Sequence, residues 1–167
     1  MMARHPLFLV VLATAACGRG LPEVAFSLEG PPGELLIAEF DAAQERIDAA
    51  VYTFTDAAIA EALERAQDRG VAVRLVTDAA QSATLSGQQT IIARLTNSGL
   101  PLCARGGVSG GIMHHKYAVI DGRFVLTGSF NWTDAANHRN AEDLLRIDDV
   151  LLADRYLTLH DSLWTCE

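Results

Sequence analysis

Apolar residues change their spacing several times along the chain, and each change marks an element. Residues 34–46 place Leu35, Leu36, Ala38, Phe40 and Ala43 on a broad stripe that continues to Ile47. Pro31 and Pro32 stand just ahead of it, so a helix is predicted there. Over residues 47–53 the period shortens to two, with Ile47, Ala49, Val51 and Thr53 on one face, which predicts a strand. Asp56 then caps a helix whose inner stripe is Ile59, Ala62, Leu63 and Ala66 and which stops at Gly70. Residues 71–77 form a near-continuous apolar run, suited to a central strand covered on both faces. Residues 81–87 are polar and read as a loop. Residues 90–97 read as a helix ending near Gly99, and residues 100–104 as a short strand.

Residues 105–111 break the rhythm with four glycines in seven positions, a loop that can flex or let backbone approach a ligand. Two alternating runs, residues 115–120 and 123–127, then flank Asp121-Gly122. An Asp-Gly pair between such runs is a strong hairpin signal. The polar, aromatic-broken segment Gly128-Ser129-Phe130-Asn131-Trp132-Thr133 follows. A strand at residues 141–147 and a helix at residues 149–164 close the chain, the helix turning Leu151, Leu152, Tyr156, Leu159 and Leu163 inward. Helices alternating with strands point to an α/β layered fold with helices on the sheet faces.

Half of the 167 residues are hydrophobic and a fifth are charged, as in ordinary globular protein. The formal net charge of −8 argues against a generally basic nucleic-acid coat and leaves room only for a local cationic site. Residues 1–17 stand apart. Arg4 and His5 precede an apolar run over residues 6–16, too short to span a bilayer as a mature helix and laid out like a secretory signal. Thr14-Ala15-Ala16-Cys17 resembles a bacterial lipoprotein cleavage box, with Thr14 where Leu is usual. Cys17 is therefore a candidate lipidation site, and a lipid there would tether the protein to a membrane. The plain alternative is a buried N-terminal hydrophobic helix. The expected organisation is a leader at 1–17, a linker at 18–32 with an edge strand at 24–27, and a domain at 33–167, in a secreted or periplasmic protein. In an oxidising compartment Cys103 and Cys166 can form a disulfide, although their separation in space is open at this stage. Neither has a second ligand nearby at zinc spacing, so no metal site is expected.

The chemistry concentrates around the hairpin. Side chains alternate along a strand, so His114 and Lys116 point the same way, and the returning strand delivers Ser129 and Asn131, two residues apart. An imidazole, an ammonium, a hydroxyl and an amide then converge. Such a set suits a phosphate diester: Lys116 offsets charge, Ser129 and Asn131 donate hydrogen bonds, and His114 attacks phosphorus or moves a proton. No carboxylate cluster beside His114 would hold a metal. Lysine and neutral donors are expected to stabilise the phosphoryl oxygens without any cofactor.

The string His114-x-Lys116-x4-Asp121-x6-Gly128-Ser129-x-Asn131 resembles the HKD motif of the phospholipase D superfamily without a gap. Glu142 falls where that family places a supporting acidic residue. The segments Tyr52–Asp56 and Gly70–Asp78 resemble its strand-helix-strand. The resemblance implies a phospholipase D-like α-β-α sandwich with a mixed central sheet and helices on both faces. It also implies a phosphohistidine on His114, phosphate held by Lys116, Ser129 and Asn131, and a hydrogen bond from Glu142 to a histidine ring. Gly128 belongs to the motif. Asp121 completes it too, yet as first residue of an Asp-Gly turn it has a sufficient structural task. The family's chemistry needs two histidines, and no second His-x-Lys occurs, since His5, His115, His138 and His160 all lack the lysine. A two-fold homodimer sharing one site on its axis resolves this, as in the family's small single-motif endonucleases and its mitochondrial cardiolipin-hydrolase branch.

Residue by residue, the plainer readings differ. His115 points to the opposite face, for packing or for support behind the site. Trp132 is core rather than a base-stacking platform, Met113 is an apolar wall, and His138 and Arg139 are solvated. Residues 104–139 carry Arg105, Lys116, Arg123 and Arg139 against Asp121 and Asp134, a local reversal of sign that fits an anionic polymer. The stretch 106–113 offers only Val108, Ile112 and Met113 as apolar grip for acyl chains. The sequence therefore favours nucleic acid as substrate and endonuclease activity. A phospholipase D acting on phospholipid is the alternative, and a non-catalytic binding module is the second one.

Overall fold

The computed structural model describes residues 21–165. The leader at 1–17, the first part of the linker and Cys166 lie outside the described residues. Among those described, no helix is long and apolar enough to cross a membrane.

Seven strands form one mixed sheet. They are β1 (Glu23–Phe26), β2 (Arg46–Val51), β3 (Ala72–Asp78), β4 (Leu102–Arg105), β5 (Lys116–Ile120), β6 (Phe124–Gly128) and β7 (Asp143–Asp148). Their order is β1-β7-β6-β5-β2-β3-β4. β2, β3 and β4 run parallel to one another, and every other neighbouring pair is antiparallel. The parallel half is joined through α1 (Pro32–Ala42), α2 (Ala57–Asp68), α3 (Ala79–Thr84) and α4 (Ser86–Asn97). The antiparallel half is the hairpin with β7 returning beside it. A short α5 (Asp134–His138) precedes β7, and α6 (Val150–Leu163) ends the chain.

The strand period of two sorts the core into two layers. Ile47, Ala49 and Val51 of β2 meet Ala118 and Ile120 of β5 and pack under Leu36 and Phe40 of α1 and Ile59 and Leu63 of α2. The alternate set, Ala50, Val76, Tyr117, Val119 and Val125, packs under Ala153 and its neighbours on α6. Helices thus cover both faces, as expected. Trp132 is buried in the first layer, edge-on to both Phe40 and Phe54.

Four local readings needed correction, and the simplest is Leu151, expected to face the core but 67% exposed at the start of α6. The first helix was expected to run to residue 46 but ends at Ala42. The Asp121 carboxylate accepts the backbone N–H groups of Gln44, Glu45 and Arg46, at 3.0, 2.8 and 3.0 Å, and holds them as a loop. The segment 81–87 was expected to be a loop, yet most of it is helical. Asp78 caps α3 by accepting from Gln81 N at 2.9 Å, and α4 already starts at Ser86. The five-residue α5, capped by Thr133 Oγ1 on Ala136 N, was missed because one turn carries no readable period.

Cys103 is buried and disulfide-bonded. The other cysteines, Cys17 and Cys166, lie outside the described residues. Thr165 hydrogen-bonds Arg105, two residues from Cys103.

Candidate active site

The hairpin turn is tight because Asp121 and Gly122 both take positive φ, 51° and 62°. That turn lies at the far end from the site. At the near end, Lys116 opens β5 opposite Val51, the last residue of β2. His114 sits two residues earlier, and Tyr52 N donates to His115 O at 2.9 Å, so the approach to β5 is still tied to the chain leaving β2.

The side chains of His114 and Lys116 meet. Lys116 Nζ lies 3.2 Å from Nε2 and 3.3 Å from Nδ1 of the exposed His114 ring, and it donates to the His114 carbonyl at 3.0 Å. Burial draws the Lys116 pKa below the ordinary lysine value, while the Glu142 carboxylate acts the other way.

β6 delivers the other two groups. It ends at Gly128, where a Cβ would stand 2.2 Å from the Asp143 carbonyl oxygen; only glycine lets the strands close here. Ser129 Oγ then donates to Glu142 Oε2 in a short hydrogen bond and accepts from Asp143 N at 3.2 Å. Asn131 Oδ1 accepts from Thr53 N at 3.3 Å. The loop is stitched to the segment after β2, with Trp132 N donating to Thr53 O at 3.0 Å and Thr55 N to Trp132 O at 2.8 Å. Asn131 therefore reaches the chain leaving β2, beside which Lys116 opens β5, while Ser129 stands at the end of β6 against Glu142 and Asp143.

Glu142 spends its carboxylate on Ser129 and on Asn140 Nδ2, the latter at 3.0 Å. The hydrogen bond to a histidine ring that the resemblance implies is not among its contacts with the described residues. Asp121 serves the backbone of residues 44–46, which is the structural reading of that position. Three N–H donors outweigh its burial and hold its pKa below the usual carboxylate value. Among the described residues, no three His, Cys, Asp or Glu side chains gather in a group that would hold a metal ion.

The family described as "Cardiolipin synthase, PLD-like domain" matches residues 36–164. The chain belongs to the phospholipase D superfamily. It is 40% identical over 122 residues to "Mitochondrial cardiolipin hydrolase" of Xenopus tropicalis, covering 73% of this chain and 56% of that protein. It is 38% identical over 121 residues to "Phospholipase D" of Rickettsia felis, covering 71% and 57%. The chain thus spans little more than half the length of these curated relatives. Among solved structures it superimposes on Nuc, a phospholipase D family member from Salmonella typhimurium, with a TM-score of 0.80 and 33% identity, covering 86% of this chain and 93% of that one.

Three contributors to this phospholipase D-like site escaped the sequence reading. The Tyr52 ring lies 4.5 Å from that of His114, and Lys116 Nζ lies 5.1 Å from the Tyr52 ring centroid. Gln81 Nε2 fixes the Tyr52 hydroxyl at 3.0 Å. The buried Asp78 accepts from Met113 N at 2.8 Å, anchoring the residue before His114. The only sequence signal was an aspartate at the end of an apolar strand, which reads equally well as a helix cap.

The cation tally changes as well. Arg123 pairs with Asp148 at the hairpin's far end, and Arg139 pairs with Asp134. Of the four cations counted in residues 104–139, only Lys116 and Arg105 line the surface around His114.

Proposed function

We propose that this chain is a phosphodiesterase that cleaves nucleic acid through a phosphohistidine on His114, without a metal ion. The contact of Lys116 Nζ with the ring nitrogens of the exposed His114 carries the reading. One ring nitrogen attacks phosphorus, and the bond from phosphorus to the leaving oxygen breaks. Lys116, Ser129 and Asn131 hold the phosphoryl oxygens as charge redistributes over them. Water then attacks phosphorus and the phosphorus–nitrogen bond breaks, restoring His114. The leaving oxygen needs a proton from a second acid. Since this sequence has one His-x-Lys, His114 of the partner subunit in a two-fold homodimer is the candidate donor. Glu142, held by Ser129 and Asn140, has one lone pair left on each oxygen with which to orient a ring across the axis.

Nucleic acid is favoured by the match to the compact Nuc along 93% of its length, because the single-motif members that the sequence resembles include endonucleases. Phospholipid is the second reading. It is supported by the relatives named as cardiolipin hydrolase and phospholipase D and by Leu159 and Leu163, which the fold brings beside His114. A lipid tether at Cys17 on an exported protein suits either substrate.

The test is cleavage of single-stranded DNA, duplex DNA, RNA and phospholipid vesicles in chelator, with His114→Ala alongside. Chelator-resistant cleavage of nucleic acid, lost in the variant, is expected. Head-group release alone moves the protein to the lipid reading. Activity that survives His114→Ala refutes the site, and a fully active monomer refutes the shared axis.

A further inference from the structure

A groove of about 540 Å³ runs beside His114, between the glycine-rich loop and the end of α6. The reacting groups do not account for its walls. Val108 and Ile112 line it from the loop and are 91% and 48% exposed. Leu159 and Leu163 line it from α6, and His115 and Arg105 complete it. Four apolar side chains around an open groove call for an apolar or flat group in the occupant.

Arg105 gives the groove its direction. Arg46, Arg65, Arg69, Arg74, Arg94, Arg123, Arg139 and Arg146 each pair with a carboxylate. Arg105 pairs with none among the described residues; Nη1 donates instead to the neutral Thr165 hydroxyl. A guanidinium left without a carboxylate beside an apolar wall retains most of its fork for an incoming anion. His115 does not duplicate it. Burial, with Lys116 and His114 adding to the effect, lowers the His115 pKa, so at neutral pH its ring offers a flat face and hydrogen-bonding nitrogens rather than charge.

We propose that this groove is a subsite for the nucleotide adjoining the scissile phosphate, with its unpaired base against Val108, Ile112, Leu159 and Leu163 and the next phosphate on Arg105. This rests on the nucleic-acid reading above. The lining offers the kinds of group a strand would meet: a diester site at His114, an apolar wall and a second cation. Because every base has an apolar face but a paired base has its edge occupied and its stack closed, the subsite favours single strands over duplex.

The experiment uses the full chain with Arg105→Gln, Arg105→Lys and Ile112→Ser. Each is assayed on a single-stranded oligonucleotide, on its duplex, and on methyl p-nitrophenyl phosphate, which reaches His114 but carries neither a base for the apolar wall nor a second phosphate for Arg105. In Arg105→Gln the ratio of kcat/KM on the oligonucleotide to that on the small diester is expected to fall about tenfold, through KM. The slope of log kcat/KM against log salt is expected to flatten by roughly one unit. Arg105→Lys should restore most of both, and Ile112→Ser should lower the same ratio several-fold. An unchanged ratio and salt slope in Arg105→Gln overturns the subsite while leaving the nuclease in place. Equal wild-type rates on single strand and duplex overturn the unpaired-base placement. A wild type that hydrolyses the small diester but no oligonucleotide overturns the nucleic-acid reading and the subsite together. Head-group release from phospholipid vesicles in that case, impaired in Ile112→Ser, reassigns the groove to an acyl chain.

Discussion

The buried carboxylate of Asp78 joins two parts of the site: Oδ2 accepts the Met113 N–H at 2.8 Å, and Oδ1 accepts the Gln81 N–H at 2.9 Å. Met113 precedes His114, and Gln81 holds the Tyr52 hydroxyl under the His114 ring. One strand-end residue thus sets both the backbone before His114 and the aromatic surface beside it. Asp78→Ala strands two N–H groups, at about 1–3 kcal/mol each. A stability loss of roughly 3 kcal/mol is expected in denaturant melts, together with a fall in kcat on a small diester that exceeds any rise in KM. Asp78→Asn keeps one acceptor and should recover part of both. Unchanged kcat in folded Asp78→Ala would mean that Asp78 merely caps α3.

Tyr52 offers its ring to His114 and to the Lys116 ammonium. A partly exposed contact of this cation–π kind contributes about 0.5–1 kcal/mol. Tyr52→Phe keeps the ring and should keep kcat within about twofold. Tyr52→Ala frees both groups, and a loss of about tenfold in kcat is expected with little change in melting temperature. Equal kinetics in the two variants would show that the ring does no positioning.

The alkaline limb of the pH–rate profile should report Lys116. Its pKa is drawn down by burial, and Glu142 opposes that shift. Phosphate binding needs the protonated ammonium, so rate falls as pH rises through this pKa. Glu142→Gln removes the opposing charge, and the limb is expected to move to lower pH. A limb that stays in place, at whatever rate, would show that Glu142 does not act on Lys116.

Acid sensitivity should come from the opposite face of the sheet. His160 is buried against Tyr117, whose hydroxyl lies 3.2 Å from Nδ1, and its Nε2 makes no hydrogen bond to the described residues. Burial lowers its pKa from 6.5 to about 4. The folded protein therefore resists protonation that the unfolded chain accepts. This contribution is fully present above about pH 6.5 and is lost as pH falls from there towards 4, by about 3 kcal/mol in all. His160→Gln, which cannot titrate, should flatten stability against pH across that window in urea melts. A wild-type curve already flat from pH 7 to 4 would exclude His160 as the sensor.

Much of the molecule was written locally. The hairpin was legible because alternation and an Asp-Gly turn are properties of neighbouring residues. The capped α2 was legible from Asp56 and its stripe for the same reason, and the same local order fixes His114, Lys116, Gly128, Ser129 and Asn131 at spacings that two adjacent strands bring together. What the sequence left open depends on distant partners. Asp121 stops α1 from 75 to 77 residues away. Asp78 grips Met113 across 35 residues, and Leu159 and Leu163 reach the groove only because α6 folds back over the sheet. Counting charges along residues 104–139 could not reveal that Arg123 is taken by Asp148 at the wrong end of the hairpin, or that Arg105 has no carboxylate partner among the described residues. By itself the sequence determined which chemistry is present, since spacing along a strand is fixed by covalent geometry. Only the tertiary structure decided what surrounds that chemistry, because burial, ion pairing and groove walls are set by segments far apart in the chain.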